Sequence, residues 1–315
     1  MQHTHQIRRM FSAALVMGAA AGLAACDVVI NSLDGGIGVG QAKAEQAYAK
    51  TFTLDGPGAT LEIVNTNGAI TVEAVDGNTV DVKATIRARG ATEEAARESL
   101  KQVEIKEDAG PGRLRLEARH PRLRQAIDVK FTLRVPRNVK VNLQSVNGAI
   151  DITGMKASVR AETTNGAVKG RGLWSSVDAS TTNGGLDIQM DGLGPDGVRL
   201  ETTNGGIDLR LPAETKATLA ARCVNGGISV TDLPFEKDAD SNRRRVEGKI
   251  NGGGAPLKLE SVNGSVRVRL AGAGGEEKGK ASGKVGADLD GPPDLHALEG
   301  LKGLKALKGL HGHVG

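Results

Sequence analysis

The sequence predicts an all-β chain built as a β-solenoid of stacked coils of about 18–21 residues, with an N-terminal capping section that contains one short helix. Three observations predict it. Asn-Gly recurs at Asn67, Asn147, Asn165, Asn183, Asn204, Asn225, Asn251 and Asn263, with steps of 18, 18, 21 and 21 residues from Asn147 to Asn225 and a last step of 38 to Asn263. Apolar and polar residues alternate with period two on both sides of each Asn-Gly, which is the signature of a strand, a tight turn and a second strand. The composition suits a thin aliphatic core: 44 Gly against four Phe, one Trp and one Tyr in 315 residues. A large globular core normally spends aromatics, because each buries so much surface.

Aligned on the Asn, the pattern is strict. Two residues before it stand Ser145, Thr163, Thr181, Thr202, Cys223 and Ser261; three after stand Ile150, Val168, Leu186, Ile207, Ile228 and Val266. A hairpin with a type I′ turn and a solenoid corner both fit the local pattern; the repeat length favours the solenoid. Equivalent residues then stack about 4.8 Å apart, the spacing of paired strands. Read in chain order, Asn225 follows Asn204, and the step of 38 holds two coils, one irregular and containing Asn251. The column Asn147, Asn165, Asn183, Asn204, Asn225 and Asn263 is read as structural, because Asn tolerates the left-handed conformation and its amide can bond its own backbone or the next coil. The alternative is a row of amides facing a ligand. Cys223 replaces Thr in a column of small residues, where a free thiol behaves as a small hydrophobe.

The other segments follow in order. Residues 1–25 read as a secretory leader: Arg8 and Arg9 precede an uncharged apolar run from Met10 to Ala25 that is short for a bilayer span. The run ends Leu23-Ala24-Ala25-Cys26, which resembles the lipobox of bacterial lipoproteins. That resemblance implies that Cys26 receives lipid after cleavage, making the membrane a partner through several acyl chains. An uncleaved anchor and an ordinary secretory cleavage are the alternatives. Asp27 resembles the inner-membrane retention signal of enteric bacteria, so the expected location is the cell envelope, on the periplasmic face of the inner membrane if the source is Gram-negative. Residues 26–49 read as a flexible Gly- and Ala-rich tether. Residues 50–140 carry strand-like runs and one helix candidate, Thr92 to Gln102, with Thr92 as N-cap, and are expected to close the first edge of the solenoid. Residues 141–270 hold the tight repeats. Residues 271–315 read as a low-complexity tail in which Leu295, Leu298, Leu301, Leu304, Leu307 and Leu310 recur every third residue and would circle a helix rather than line one face.

The runs "LQSVNGAIDITGM", "AETTNGAVKG", "RLETTNGGIDLRLP" and "LESVNGSVRVRL" resemble the bacterial "putative adhesin" family of β-strand repeat proteins, which carries a domain-of-unknown-function label. The resemblance spans roughly residues 50–270. It implies a β-solenoid in the envelope or on the cell surface and carries over no catalytic residue.

No G-x-S-x-G, HExxH, Walker loop or EF-hand spacing occurs. No cofactor is expected, and no metal: His311 and His313 are two ligands, short of a site. Cys223 as a nucleophile would need an activating base, and His120 is the His outside leader and tail. A net charge of +4 and few aromatics argue against nucleic acid as a partner. One catalytic reading stands beside the binding one. Asp151, Lys169, Asp187, Asp208 and Ser229 form an outward column, and Asp187 and Asp208 one coil apart approach the carboxylate spacing of retaining glycosidases, about 5–5.5 Å. The expected function is a non-catalytic, adhesin-like binding or scaffolding domain for an envelope polysaccharide or protein partner. The alternatives are a polysaccharide-active β-helix enzyme and an envelope sensor acting through its tail.

Overall fold

The computed structural model describes residues 42–54, 56, 58–120 and 127–272. The leader, Cys26, the tether up to residue 41, the leucine-rich tail from residue 273, and with it His311 and His313, lie outside the described residues.

Strands β1 (Ala42–Thr53), β2 (Thr60–Asn67), β3 (Ile70–Val75) and β4 (Thr79–Gly90) lead into helix α1 (Glu93–Leu100). They are followed by β5 (Glu104–Gly110), β6 (Arg113–Arg119) and β7 (Ile127–Pro136). The repeats then supply β8 (Lys140–Asn147), β9 (Ile150–Thr153), β10 (Val159–Asn165), β11 (Val168–Leu173), β12 (Val177–Asn183), β13 (Leu186–Met190), β14 (Val198–Asn204) and β15 (Ile207–Leu211). The last group is β16 (Ala217–Asn225), β17 (Ile228–Thr231), β18 (Phe235–Lys237), β19 (Arg245–Ile250), β20 (Ala255–Asn263) and β21 (Val266–Leu270).

Each Asn-Gly except Asn251-Gly252 joins two strands that belong to different sheets. The strand before it enters an 11-stranded sheet, ordered β18-β19-β16-β20-β14-β12-β10-β8-β2-β6-β5; the strand after it enters a 10-stranded sheet, ordered β1-β4-β7-β3-β9-β11-β13-β15-β21-β17. Between neighbouring coils the pairing is parallel and in register, as in Val159↔Val177 and Val168↔Leu186. Asn-Gly is therefore a corner of a solenoid and not a hairpin turn. Alternation turns one side chain in two inward, so Val141, Leu143, Val159, Ala161, Ile150 and Ile152 fill the space between the sheets. Burying each Val, Leu or Ile there contributes about 1.5–3 kcal/mol. Phe131 is the largest fully buried side chain among the described residues.

The chain order of the last coils differs from the sequence expectation. Asn225 does not stack on Asn204. β20–β21 lies between β14–β15 and β16–β17, so Asn204 pairs in register with Asn263, and Asn263 with Asn225. Asn251 is no rung at all: its φ is 49°, and its amide donates to the carbonyls of Ala213 and Thr215, both at 2.8 Å.

The ends are closed by antiparallel strands. At the N-terminal end β5 pairs with β6, β4 with β7, and β1 with β4 along its whole length from Ala42. Residues 42–49 of the expected tether are thus an edge strand. Their alternation (Ala44, Gln46 and Tyr48 half-buried, Lys43, Glu45 and Ala47 exposed) suits a strand with one covered side. Helix α1 packs on β1 and β4 through Ala96, Ser99 and Leu100, and Thr92 caps it by accepting from the Ala95 N–H at 3.2 Å. Across the end, Tyr48 donates to Glu107 at 2.8 Å and ties the two outermost strands together. At the other end β19 pairs antiparallel with β16, and β18 with β19.

Candidate functional site: the Asn-Gly corner and its groove

Three ladders run along the corner. In the outermost, each Asn amide donates to the amide oxygen of the next rung. Asn147 donates to Asn67 at 2.7 Å, Asn165 to Asn147 at 2.7 Å, and Asn183 to Asn165 at 2.8 Å. Asn204 then donates to Asn183, Asn263 to Asn204 and Asn225 to Asn263, each at 2.8 Å. Every bond points the same way, so the row is polar. Its rungs are exposed except for half-buried Asn67. Each amide carries a second N–H and a second lone pair beyond those used in the row.

The second ladder lies one step inward. Thr163, Thr181, Thr202 and Ser261 donate to the carbonyls of Gly148, Gly166, Gly184 and Gly205 at 3.0, 2.9, 2.9 and 3.1 Å. Cys223 occupies the same place, with Sγ 3.4 Å from the Gly264 carbonyl. Burial pushes its thiol up from the usual value, against the pull of Arg244 and Arg243, which is the opposite of what a nucleophile needs. The third ladder is the glycines. A Cβ on Gly166 would sit 2.1 Å from the Gly148 carbonyl oxygen, and on Gly184 2.0 Å from that of Gly166. Close approach, not a left-handed backbone, is what excludes a side chain at these rungs.

Beside the Asn row, on the face of the 10-stranded sheet, lies a groove of about 390 Å3. Its floor is small (Ala167, Gly185, Gly206, Ser265) and its far wall is charged (Lys169, Asp187, Asp208, Arg267). The wall differs from the expected column, because Arg267 stands between Asp208 and Ser229. Asp187 and Asp208 are direct register partners on β13 and β15. Both are held by arginines of the next outward column. Arg210 lies 3.0 Å from Asp187, and Arg269 donates to both oxygens of Asp208 at 2.7 and 3.1 Å. Asp208 has no oxygen left without a guanidinium, so the pair forms a braced wall and not two free carboxyl groups facing a sugar. Trp174, 51% exposed, sits at the opposite end of its strand pair, packed over Gly192 with the Lys156 ammonium 5.9 Å from its ring. Among the described residues no three His, Cys, Asp or Glu gather to hold a metal, and no helix is long and apolar enough to cross a membrane.

One cluster was not singled out in the sequence. Arg243 and Arg244 end the loop before β19 and Arg245 begins the strand, next to the last rung, where the Arg244 carbonyl accepts from the Cys223 N–H at 2.9 Å. The Asn242 amide oxygen accepts from the Arg244 and Arg245 N–H groups at 2.8 and 2.9 Å, and Ser241 both accepts from and donates to the Glu247 backbone. The signal was the run Asn242-Arg243-Arg244-Arg245, whose place beside the corner depends on pairing that no local pattern announces.

A family model matches residues 60–269, which is the whole solenoid from β2 to the penultimate residue of β21. The chain belongs to the Toastrack DUF4097 family. Among solved structures, it is similar to a "putative cell adhesion protein" of Clostridium sporogenes, with 12% identity and a TM-score of 0.43 over 71% of this chain and 99% of that one. It is also similar to a "putative adhesin" of Bacteroides fragilis, with 12% identity and a TM-score of 0.33 over 71% and 96%. A third likeness is to a "putative lipid binding protein" of Parabacteroides distasonis, with 10% identity and a TM-score of 0.23 over 70% and 96%. No curated protein matches the chain. The Toastrack assignment agrees with the resemblance read from the repeats.

Proposed function

We propose that this Toastrack protein is a membrane-anchored envelope lipoprotein whose solenoid binds an extended polar polymer, an envelope polysaccharide, without cleaving it. The observation that carries the reading is the groove. It lies beside the row of exposed Asn amides, has a floor of small residues, and repeats polar side chains at the strand spacing of about 4.8 Å. A hydroxyl-rich chain lying along the axis meets the same amide at every rung of the Asn row, beside a wall that varies from Lys169 through Asp187 and Asp208 to Arg267. The bracing of Asp187 and Asp208 by Arg210 and Arg269 weighs against the enzyme alternative, which needs a carboxyl free to deliver a proton. Cys26 supplies the anchor in this reading, and the chain before β1 supplies the spacer.

The test is incubation of the chain without leader and lipidated cysteine, residues 27–315, with peptidoglycan and a panel of envelope polysaccharides, assaying both retention and release of soluble sugar. Retention with the polymer intact is the expected result. Release of fragments that Asp187→Asn or Asp208→Asn abolishes would restore the enzyme. The anchor is tested separately: palmitate labelling of the full chain should disappear in Cys26→Ala, and labelling that persists would remove Cys26 from the reading.

A further inference from the structure

We infer that the C-terminal end of the groove is an anion-binding stop, so that the polymer of the proposed function is an acidic glycan. This inference rests on that reading. The groove wall ends in Arg267, whose register partner on the last strand of the sheet is Ser229. Two residues before Ser229 lies Gly227, whose carbonyl accepts from the Val266 N–H at 2.9 Å and which therefore continues the small-residue floor. A Cβ on Gly227 would sit 3.9 Å from the Arg243 Nε. The Arg243 guanidinium thus lies beside Gly227 at the last coil, and Arg244 follows it in the chain.

Most arginines along the coils have an acid. Arg199 holds Glu201, Arg210 holds Asp187, Arg269 holds Asp208, and Arg245, within the cluster itself, holds Glu247. Arg243, Arg244 and Arg267 have no ion-pair or side-chain hydrogen-bond partner among the described residues, and all three are exposed. The loop that presents Arg243 and Arg244 is fixed by the bonds of Asn242 and Ser241, so the charges are placed before any ligand arrives. Unpaired guanidiniums on a fixed loop suit carboxylate or phosphate oxygens, which they grip through paired N–H groups. Along the rest of the trench the floor is small residues and the two wall carboxylates, Asp187 and Asp208, are already paired with Arg210 and Arg269, which leaves Arg267, Arg243 and Arg244 as the charges open to a ligand at this end. From β3 to β17 the sheet takes six strand steps, so this end lies about 29 Å from the first rung.

The experiment measures retention of the full mature chain on three immobilised polymers: alginate (a polyuronate), dextran (neutral) and poly-L-glutamate (acidic but not a glycan). Alginate is expected to retain the protein at least about tenfold better than dextran, and the difference should vanish between about 0.05 M and about 0.5 M NaCl. The triple variant Arg243→Gln, Arg244→Gln, Arg267→Gln should lose at least about tenfold on alginate. A control triple, Lys83→Gln, Arg89→Gln, Arg134→Gln, removes the same charge from exposed positions elsewhere and should lose nothing. If alginate and dextran retain the protein equally and the arginine triple behaves as wild type, the anionic stop is wrong while polymer binding survives. If no glycan retains the protein, both fall. Retention on poly-L-glutamate alone, lost in the arginine triple, would replace the glycan by an acidic peptide and overturn the ligand class.

Discussion

At the scale of single residues, the corner divides its work among three side-chain types, and they differ in tolerance. Gly166 has the least. Any Cβ would strike a backbone carbonyl at 2.1 Å, so Gly166→Ala should destabilise the protein by about 3 kcal/mol or more, read from urea unfolding. Asn183→Ala removes two exposed hydrogen bonds and should cost only about 1–2 kcal/mol. Equal costs would contradict the ladder description. Cys223→Thr should be close to neutral, within about 1 kcal/mol, because its neighbours in the column are hydroxyls bonding glycine carbonyls, and the native thiol should resist alkylation at neutral pH until the chain unfolds. The identity of these columns was legible in the sequence. Their reasons were only partly so. The left-handed tendency of Asn suggested itself for every Asn-Gly, yet among the described residues the non-glycine residues with positive φ are Asp232 and Asn251, and Asn251 is the Asn-Gly that leaves the ladder. Which oxygen a side chain bonds depends on the neighbouring coil, and a local pattern does not contain the neighbour.

At the scale of elements, strands and helix were legible because period two and a cap residue are local signals. The helix runs Glu93–Leu100 behind Thr92, two residues short of the expected Gln102. Thr92→Ala removes the acceptor for the Ala95 N–H and should cost about 1 kcal/mol, with faster hydrogen exchange confined first to α1 and β1; uniform loosening of every coil would argue against a separable cap. What stayed illegible was adjacency. Sequential repeats suggest sequential stacking, and the order β14-β20-β16 breaks it. The 38-residue step suggests two coils in line, whereas the chain leaves β17, makes the antiparallel pair β18–β19, and returns inside its own last coil. The first strand was hidden for a different reason: alternation in a run as rich in Ala as residues 42–49 is faint against a tether.

At the scale of the whole molecule, the outer face of the 11-stranded sheet predicts how stability responds to acid. Burial pushes the Glu201 carboxyl above its ordinary value of 4.5; Arg199 opposes the push and Glu260, its register partner, adds to it. An acid with a raised native value is held protonated more readily by the folded chain, so stability increases as pH falls towards 4.5 through the interval above it. Glu94 and Glu117 are shifted down, by backbone and arginine hydrogen bonds respectively, and their losses come only below 4.5. The Tm should therefore rise between about pH 7 and about pH 5, and Glu201→Gln should flatten that rise; a falling Tm over the same interval would reject it. The interleaved end has another consequence, in time instead of space. As the chain is made from its N-terminus, β16–β17 emerges with no surface to dock on, because the coil that must separate it from β14–β15 is still unmade. Residues 217–231 must wait, apolar side chains uncovered, until residue 270 has appeared. The nascent protein thus carries an unfinished end until β21 has been made, and a ribosome stalled inside β20 would leave behind a trunk with a dangling arm instead of a shorter solenoid.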